Sequence, residues 1–229
     1  PSGQVVDLAE VFHALSKEGL LGGYEVSQRF YEIGSPDGLA TLEAWVRAHR
    51  GLLILDRDGV LNRMTVDAQG LPDSPLREEE VEVFPWVPDA LRRLNDAGWG
   101  LCIATNQPAA AKGKASRETL EAVHRRILRE ATSAGAVIAS SHICWHRAED
   151  GCDCRKPKPG LLLEALAAHP EYPRADSWMV GDRATDLQAA AGAGVHAALV
   201  GDLAAASPAE FHGENLATFA EFLLARTSG

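Results

Sequence analysis

The sequence predicts an α/β fold: a doubly wound, mainly parallel sheet with helices on both faces, preceded by a mostly helical N-terminal extension. Three observations carry that prediction. From Gly51 onward, short apolar runs alternate with segments apolar at helical spacing, and strand–helix–strand order implies a parallel sheet covered on both sides. Several of these runs lead straight into polar clusters, and the C-terminal ends of strands are where open α/β sheets bind ligands. The first fifty residues share neither feature, so the 229 residues divide into an extension, 1–50, and a domain, 51–229.

In the extension, Val5–Leu15 and Leu39–Val46 carry helical spacing, and Tyr24–Ile33, beside Gly22-Gly23, alternates weakly. Ser35-Pro36-Asp37 reads as an N-cap, a proline in the first turn and an acid at the positive helix end. Leu52–Leu55 is the first strand of the domain, and Asn62–Glu82 is a polar, proline-rich loop with room for a short hairpin. Val87–Ala97 is a helix: Pro88 and Asp89 open it, Ala90, Leu91 and Leu94 face inward, and Gly98 closes it. Trp99–Thr105 is the second strand; Ser116–Ala134 is a long helix with Leu120, Val123, Ile127, Leu128 and Ala131 on one stripe. Strand Val137–Cys144, helix Gly160–His169, strand Ser177–Val180, helix Ala184–Ala193, strand Val195–Val200 and a closing helix Pro208–Arg226 complete the order.

With 32 acidic and 22 basic residues the net charge is −10, which argues against a nucleic-acid or membrane-surface binder. Cations for an anionic substrate must therefore be concentrated locally. No apolar run reaches membrane-spanning length and no signal peptide is visible, which points to the cytoplasm. The chain starts Pro1-Ser2 rather than with Met, as a processed product, a trimmed chain or a fragment would.

Four polar clusters sit at predicted strand ends. Asp56-x-Asp58-Gly59 offers two carboxylates and a sharp turn, so that one acid can act as nucleophile or metal ligand while the other moves a proton. Thr105-Asn106-Gln107 offers a hydroxyl that can donate to a phosphoryl oxygen. Arg155-Lys156-Pro157-Lys158-Pro159-Gly160 sets three cations in four residues ahead of a helix N-terminus, with prolines expected to hold the segment extended. Val180-Gly181-Asp182-Arg183-Ala184-Thr185-Asp186 carries a carboxylate able to complete a Mg²⁺ site with Asp56. Each cluster has a plainer reading as turn or cap chemistry. Together they supply the nucleophile, acid/base, donor, cation and metal-binding carboxylate that phosphoryl transfer needs. A further group, Cys144-x-His146 and Cys152-x-Cys154, supplies four ligands across a short loop and suits a closed, structural tetrahedral Zn²⁺ site. The remaining Cys102 sits mid-strand and reads as core.

In this order, DRDGVLN, TNQ, RKPKPG and GDRATDLQAA resemble the four motifs of the haloacid dehalogenase (HAD) superfamily, over about Gly51 to Val200. Within it they are similar to the D,D-heptose 1,7-bisphosphate phosphatase family and its relative, the histidinol-phosphate phosphatase domain; both carry a Cys-x-His…Cys-x-Cys zinc loop before the RKP triplet. The resemblance implies that Asp56 forms an aspartyl-phosphate and Asp58 protonates the leaving oxygen and then activates water. Thr105 and Lys156 would stabilise the transferring group. Asn106, Arg155 and Arg183 would bind substrate. Asp56, Asp182 and the backbone carbonyl of Asp58 would hold Mg²⁺, with Asp186 supporting. Lys158 is the weaker match for the catalytic cation. Short spacings between motifs leave no room for a lid domain, so a capless HAD-like enzyme is expected, bordered by loops at 63–76 and 108–115 and by the zinc loop.

The expected reaction is removal of the C1 phosphate of D-glycero-D-manno-heptose 1,7-bisphosphate, with histidinol phosphate as the alternative substrate and a non-catalytic metal-binding interaction domain as the alternative of another class. Pro108 after TNQ and the sequence Arg63-Met64-Thr65-Val66 depart from the heptose pattern. Arg29–Leu39 resembles the C-terminal end of sugar-phosphate nucleotidyltransferases, which implies a remnant of, or association with, such an enzyme.

Overall fold

The computed structural model describes residues 8–22, 34–39, 50–201 and 209–226. The chain divides into two compact units, Pro1–Glu43 and Ala44–Gly229. In the first, helix α1 spans Leu8–Lys17. Ser35 caps the start of a second helical stretch, accepting a hydrogen bond at Oγ from the Gly38 N–H (3.0 Å). Tyr24–Ile33, and the expected helix Leu39–Val46 beyond Leu39, lie outside the described residues.

The second unit is built on a six-stranded sheet. Its strands are β1 (Leu52–Leu55), β4 (Gly100–Asn106), β5 (Ser140–Cys144), β6 (Trp178–Gly181), β7 (His196–Val200) and β8 (Phe211–Gly213). They pair in parallel in the spatial order β5-β4-β1-β6-β7-β8. A short antiparallel hairpin, β2 (Thr65–Val66) and β3 (Pro72–Asp73), stands apart from that sheet in the loop after β1. The helices are α2 (Val87–Asp96), α3 (Arg117–Ala131), α4 (Gly160–Ala168), α5 (Ala184–Ala193) and α6 (Leu216–Ala225). In chain order the sheet runs outward from β1 on both sides, so the topological switch point lies at β1 and its neighbour β6.

The apolar run of β1 is explained by burial on both faces. Leu53 and Leu55 pack among Leu91 and Leu94 of α2 and Phe219 of α6; Leu52 and Ile54 face the other way, toward Leu162 of α4 and Ala190 of α5. Each of these leucines is fully buried, which stabilises the fold by about 2 kcal/mol apiece. Cys102 is likewise fully buried, in the second cluster.

Two expectations are corrected. The closing helix begins at Leu216 rather than Pro208, because Phe211–Gly213 pairs with β7 as an edge strand and Asn215 then caps the helix through hydrogen bonds to its Oδ1 from Ala217 N and Thr218 N. The RKPKP segment is not extended: Lys158 N donates to Arg155 O (2.9 Å), closing a turn that contains a cis Lys156–Pro157 peptide. Among the described residues no helix is long and apolar enough to cross a membrane.

Candidate active site

The site forms where the switch point dictates, at the C-terminal ends of β1 and β6. Asp56 follows β1 directly, and its N–H donates to Val180 O of β6 (2.9 Å), which ties the two strand tips together. The chain then turns back, with Arg57 O accepting from Leu61 N (2.8 Å) and Gly59 N donating to Asn62 O (2.8 Å). Gly59 has φ +89°, and a Cβ there would collide with the Asp182 carboxylate. Glycine is therefore what lets the first motif and the last approach one another.

Lys156 is the buried cation of the site. Its Nζ lies 3.0 Å from Asp56 Oδ1 and 2.7 Å from Asp186 Oδ1. Burial alone would lower its pKa, but Asp186 and Asp56 outweigh that and hold it above the ordinary lysine value. Asn106 braces the Lys156 backbone from both sides, its Nδ2 donating to Lys156 O (3.0 Å) and its Oδ1 accepting from Lys156 N (3.2 Å). Lys158, by contrast, is exposed and spent on Asp153 and Gly151 O.

Asp58 is the most heavily hydrogen-bonded carboxylate. It accepts from Arg57 Nε (3.1 Å) and Nη2 (3.0 Å), Asn62 Nδ2 (2.9 Å), Ser74 Oγ (2.7 Å) and Gln107 Nε2 (2.7 Å). Burial pushes its pKa up, yet Arg57 and the bonds from Arg57, Asn62 and Gln107 prevail and hold it below the usual carboxylate value. Thr105, almost fully buried, accepts at Oγ1 from the same Gln107 amide (3.1 Å).

The carboxylates of Asp56, Asp182 and Asp186 each bring an oxygen within 4.8 Å of the others. Burial raises the Asp56 pKa to about 6, against the pull of Lys156 and with added repulsion from Asp186 and Asp58. Burial, Asp56 and Asp186 raise that of Asp182 to about 7, and Asp182 Oδ1 is buried without a hydrogen-bond partner. An all-oxygen cluster short of positive charge, with an orphaned carboxylate oxygen, fits a hard divalent cation such as Mg²⁺.

These groups surround a cavity of about 270 Å³ lined by Asp56, Asp58, Thr105, Asn106, Arg155, Lys156 and Arg183, among others. Its rim comes from the expected loops: Met64 and Pro72–Ser74 on one side, Pro108 and Lys112 on the other. Arg155 is oriented by its Nη1 bond to His146 O (3.2 Å), and exposed Arg183 reaches Met64 Sδ (3.0 Å). The catalytic and substrate-binding candidates Asp56, Asp58, Thr105, Asn106, Arg155, Lys156 and Arg183 thus line one cavity, while Asp182 lies beside Asp56 and lines a neighbouring one.

The Cys/His group also assembles. Sγ–Sγ separations are 3.7 Å (Cys144–Cys152), 3.3 Å (Cys144–Cys154) and 3.4 Å (Cys152–Cys154), and His146 Nδ1 lies 3.6 and 3.3 Å from Cys144 and Cys154. These are far too long for a disulfide and near the ~3.8 Å edge of a tetrahedron around zinc. Burial and the adjacent thiols push Cys154 up to about 12, a crowding that a bound cation relieves.

Four participants escaped the sequence: Arg57, Asn62, Ser74 and Gln107, all partners of Asp58. Arg57, Asn62 and Gln107 stand inside or beside the quoted motifs, where an Arg, Asn or Gln at an apolar strand tip was a usable signal. Ser74 lies in a proline-rich loop and offered none.

Residues 153–212 match the HAD-hydrolase-like family. The chain is 40% identical over 154 residues to the D-glycero-beta-D-manno-heptose-1,7-bisphosphate 7-phosphatase of Pseudomonas putida, covering 65% of this chain and 81% of that one. It is 35% identical over 195 residues to the D-glycero-D-manno-heptose-1,7-bisphosphate 7-phosphatase of Thermosynechococcus vestitus, covering 76% and 95%. The crystal structure of the D,D-heptose 1,7-bisphosphate phosphatase of B. bronchiseptica, complexed with magnesium and phosphate, superposes with a TM-score of 0.67 at 34% identity, covering 77% of this chain and 99% of that one.

Proposed function

The chain belongs to the heptose-1,7-bisphosphate 7-phosphatase family of HAD-like hydrolases, and from that premise we propose that it hydrolyses the 7-phosphate of D-glycero-D-manno-heptose 1,7-bisphosphate. The expected cleavage at C1 is corrected by the relatives, which are named for position 7. Chemistry agrees with them. A sugar is activated by a nucleotidyltransferase through an oxygen of its C1 phosphate, so a phosphatase serving that step must spare it. The 7-phosphate also hangs from a flexible exocyclic carbon and can reach the cavity floor while the ring stays outside.

One observation carries the reading: Asp56, Asp58, Thr105 and Lys156, from three distant stretches, line a single cavity beside Asp182. Asp56 attacks phosphorus while Asp58 protonates the departing sugar oxygen. The resulting aspartyl-phosphate is then hydrolysed by water that Asp58 deprotonates. Lys156 offsets charge on the transferring group, and Thr105 donates its hydroxyl to a phosphoryl oxygen.

Asp58 must therefore alternate between protonated and ionised states. Its partners allow this: Asn62 Oδ1 and Gln107 Oε1 are buried without partners, so a rotated amide can accept from a protonated Asp58. Asp56, Asp182 and the Asp58 carbonyl would hold Mg²⁺. The ion, when bound, neutralises phosphoryl oxygens and keeps them in line for displacement. Zinc at Cys144, His146, Cys152 and Cys154 would be structural and would anchor Arg155 and Lys156, which follow Cys154 in sequence.

Three cysteines grouped for zinc and a buried Cys102 thiol, rather than a disulfide framework, support a reducing, cytoplasmic setting. The first fifty residues we read as an extension related to a nucleotidyltransferase terminus, fused to or associated with the phosphatase domain.

The test is phosphate release from heptose 1,7-bisphosphate with Mg²⁺, with the product identified by whether its anomeric phosphate survives. Histidinol phosphate serves as the comparison substrate. A 1-phosphate product and no turnover in Asp56→Asn are expected. Faster hydrolysis of histidinol phosphate would favour that substrate instead, and a product keeping the 7-phosphate would reverse the regiochemistry.

A further inference from the structure

We propose that Lys112 binds the phosphate that the enzyme leaves in place, and so sets the preference for a bisphosphate over a monophosphate. The inference rests on the reading above, in which one phosphate is pressed against Asp56 and a second remains on the far side of the sugar ring. That second anion needs a cation at the cavity mouth.

Four cationic side chains line the cavity: Lys112, Arg155, Lys156 and Arg183. Three have partners within the protein, Arg155 and Arg183 through only part of their guanidinium groups. Lys156 is held by Asp56 and Asp186, Arg183 Nε lies 3.7 Å from Asp182 Oδ2, and Arg155 Nη1 donates to His146 O. Lys112 is exposed, and its ammonium has no hydrogen bond or ion pair among the described residues.

Its neighbourhood shows why that head group is available. Two residues on, Lys114 Nζ is paired with Asp73 at 2.5 Å, across to the β2–β3 hairpin. The intervening backbone is pinned: Lys112 N donates to Pro108 O (2.9 Å), and Arg147 Nε donates to Ala111 O (2.7 Å). The turn is therefore fixed at both flanks, while its one lysine on the cavity side stays unpaired. Thr105, almost fully buried, and Lys112, exposed, belong to one strand and the turn that follows it, so one segment lines the cavity at both positions. An ammonium on a flexible stem suits a solvated phosphate whose exact position varies. In a chain of net charge −10, such a cation also draws the doubly anionic substrate toward the right opening.

The experiment is steady-state kinetics with Mg²⁺ on heptose 1,7-bisphosphate and heptose 7-phosphate, comparing the unaltered protein with Lys112→Ala and Lys112→Arg. Lys112→Ala is expected to raise KM for the bisphosphate about tenfold with little change in kcat, as loss of one exposed charge-assisted contact should. The ratio of kcat/KM values, bisphosphate over monophosphate, should fall by the same factor, and Lys112→Arg should restore most of it. An unchanged ratio, or a fall in kcat rather than a rise in KM, overturns the assignment and leaves the phosphatase reading standing. Failure of the unaltered protein to release phosphate from either compound overturns both.

Discussion

The side-chain amide of Gln107 donates to Oδ2 of Asp58 across 2.7 Å and, through the same nitrogen, to Thr105 Oγ1 across 3.1 Å. It joins the proposed proton carrier to the hydroxyl proposed to donate a hydrogen bond to the phosphoryl group. Replacement by leucine keeps the bulk and removes both bonds. We expect Gln107→Leu to fold, to lower kcat by about ten- to a hundredfold and to leave KM nearly unchanged, since the bonds orient groups that act in the transition state. Stopped-assay kinetics check this; wild-type kcat in the variant would remove Gln107 from the machinery.

Gly59→Ala should be costly for two separable reasons. Its φ of +89° disfavours a side chain, and the new Cβ would strike the Asp182 carboxylate. A loss of about 1–3 kcal/mol in stability is expected, together with weaker Mg²⁺ dependence of activity. Chemical denaturation and a magnesium titration measure the two effects. An alanine variant with unaltered magnesium response would show that Asp182 is not held where the metal needs it.

One zinc per chain is expected by metal analysis of purified protein. Cys152→Ser should lose it, unfold several degrees lower and show kcat/KM reduced by about ten- to a hundredfold, because Arg155 and Lys156 follow the loop directly. Metal-free protein with full activity and unchanged melting would contradict a structural zinc.

Acid should destabilise the protein through His124. The ring is buried on α3 behind Arg57, neither nitrogen has a hydrogen-bond partner, and burial followed by the Arg57 charge lowers its pKa to about 4. Because the folded value lies below the ordinary 6.5, the unfolded chain binds more protons between the two. Stability from this residue is therefore full above about pH 6.5 and falls as pH drops toward 4, by up to roughly 3 kcal/mol. Asp56 and Asp182, with raised values, contribute the opposite slope, so the difference between wild type and His124→Phe isolates the effect. Going from pH 7.5 to pH 4.5, the denaturation midpoint of wild type should fall relative to that of His124→Phe. Parallel pH dependence in the two proteins would exclude His124 as the acid-sensitive group.

Much of the site was legible because its parts are local. Asp56 and Asp58 follow an apolar strand, Lys156 sits between cysteine ligands and a helix start, and Asp182 ends another strand, so strand–loop–helix order alone sends them to one rim. Lys156 is the better motif match, and it is the lysine whose Nζ lies beside Asp56, whereas Lys158 pairs with Asp153. What stayed hidden involves partners distant in sequence. Asp58 is engaged by Ser74, 16 residues away, and by Gln107, 49 residues away, and neither bond leaves a periodic trace. Phe211–Gly213 reads as helix in the sequence because three residues on a sheet edge are too few to show alternation and a strongly helical segment follows.

By itself, then, the sequence determined the fold class and offered two clusters of potential metal-ligating side chains and the residues proposed for chemistry, because covalent order and apolar spacing act over a few residues at a time. Tertiary structure alone decided how those groups are charged and held. It crowds three carboxylates around one point, gives Asp58 four partners, buries Lys156 between two acids and leaves Lys112 unpaired at the mouth. Burial and Coulomb energy depend on distances through space, which a linear chain acquires only when the sheet has closed.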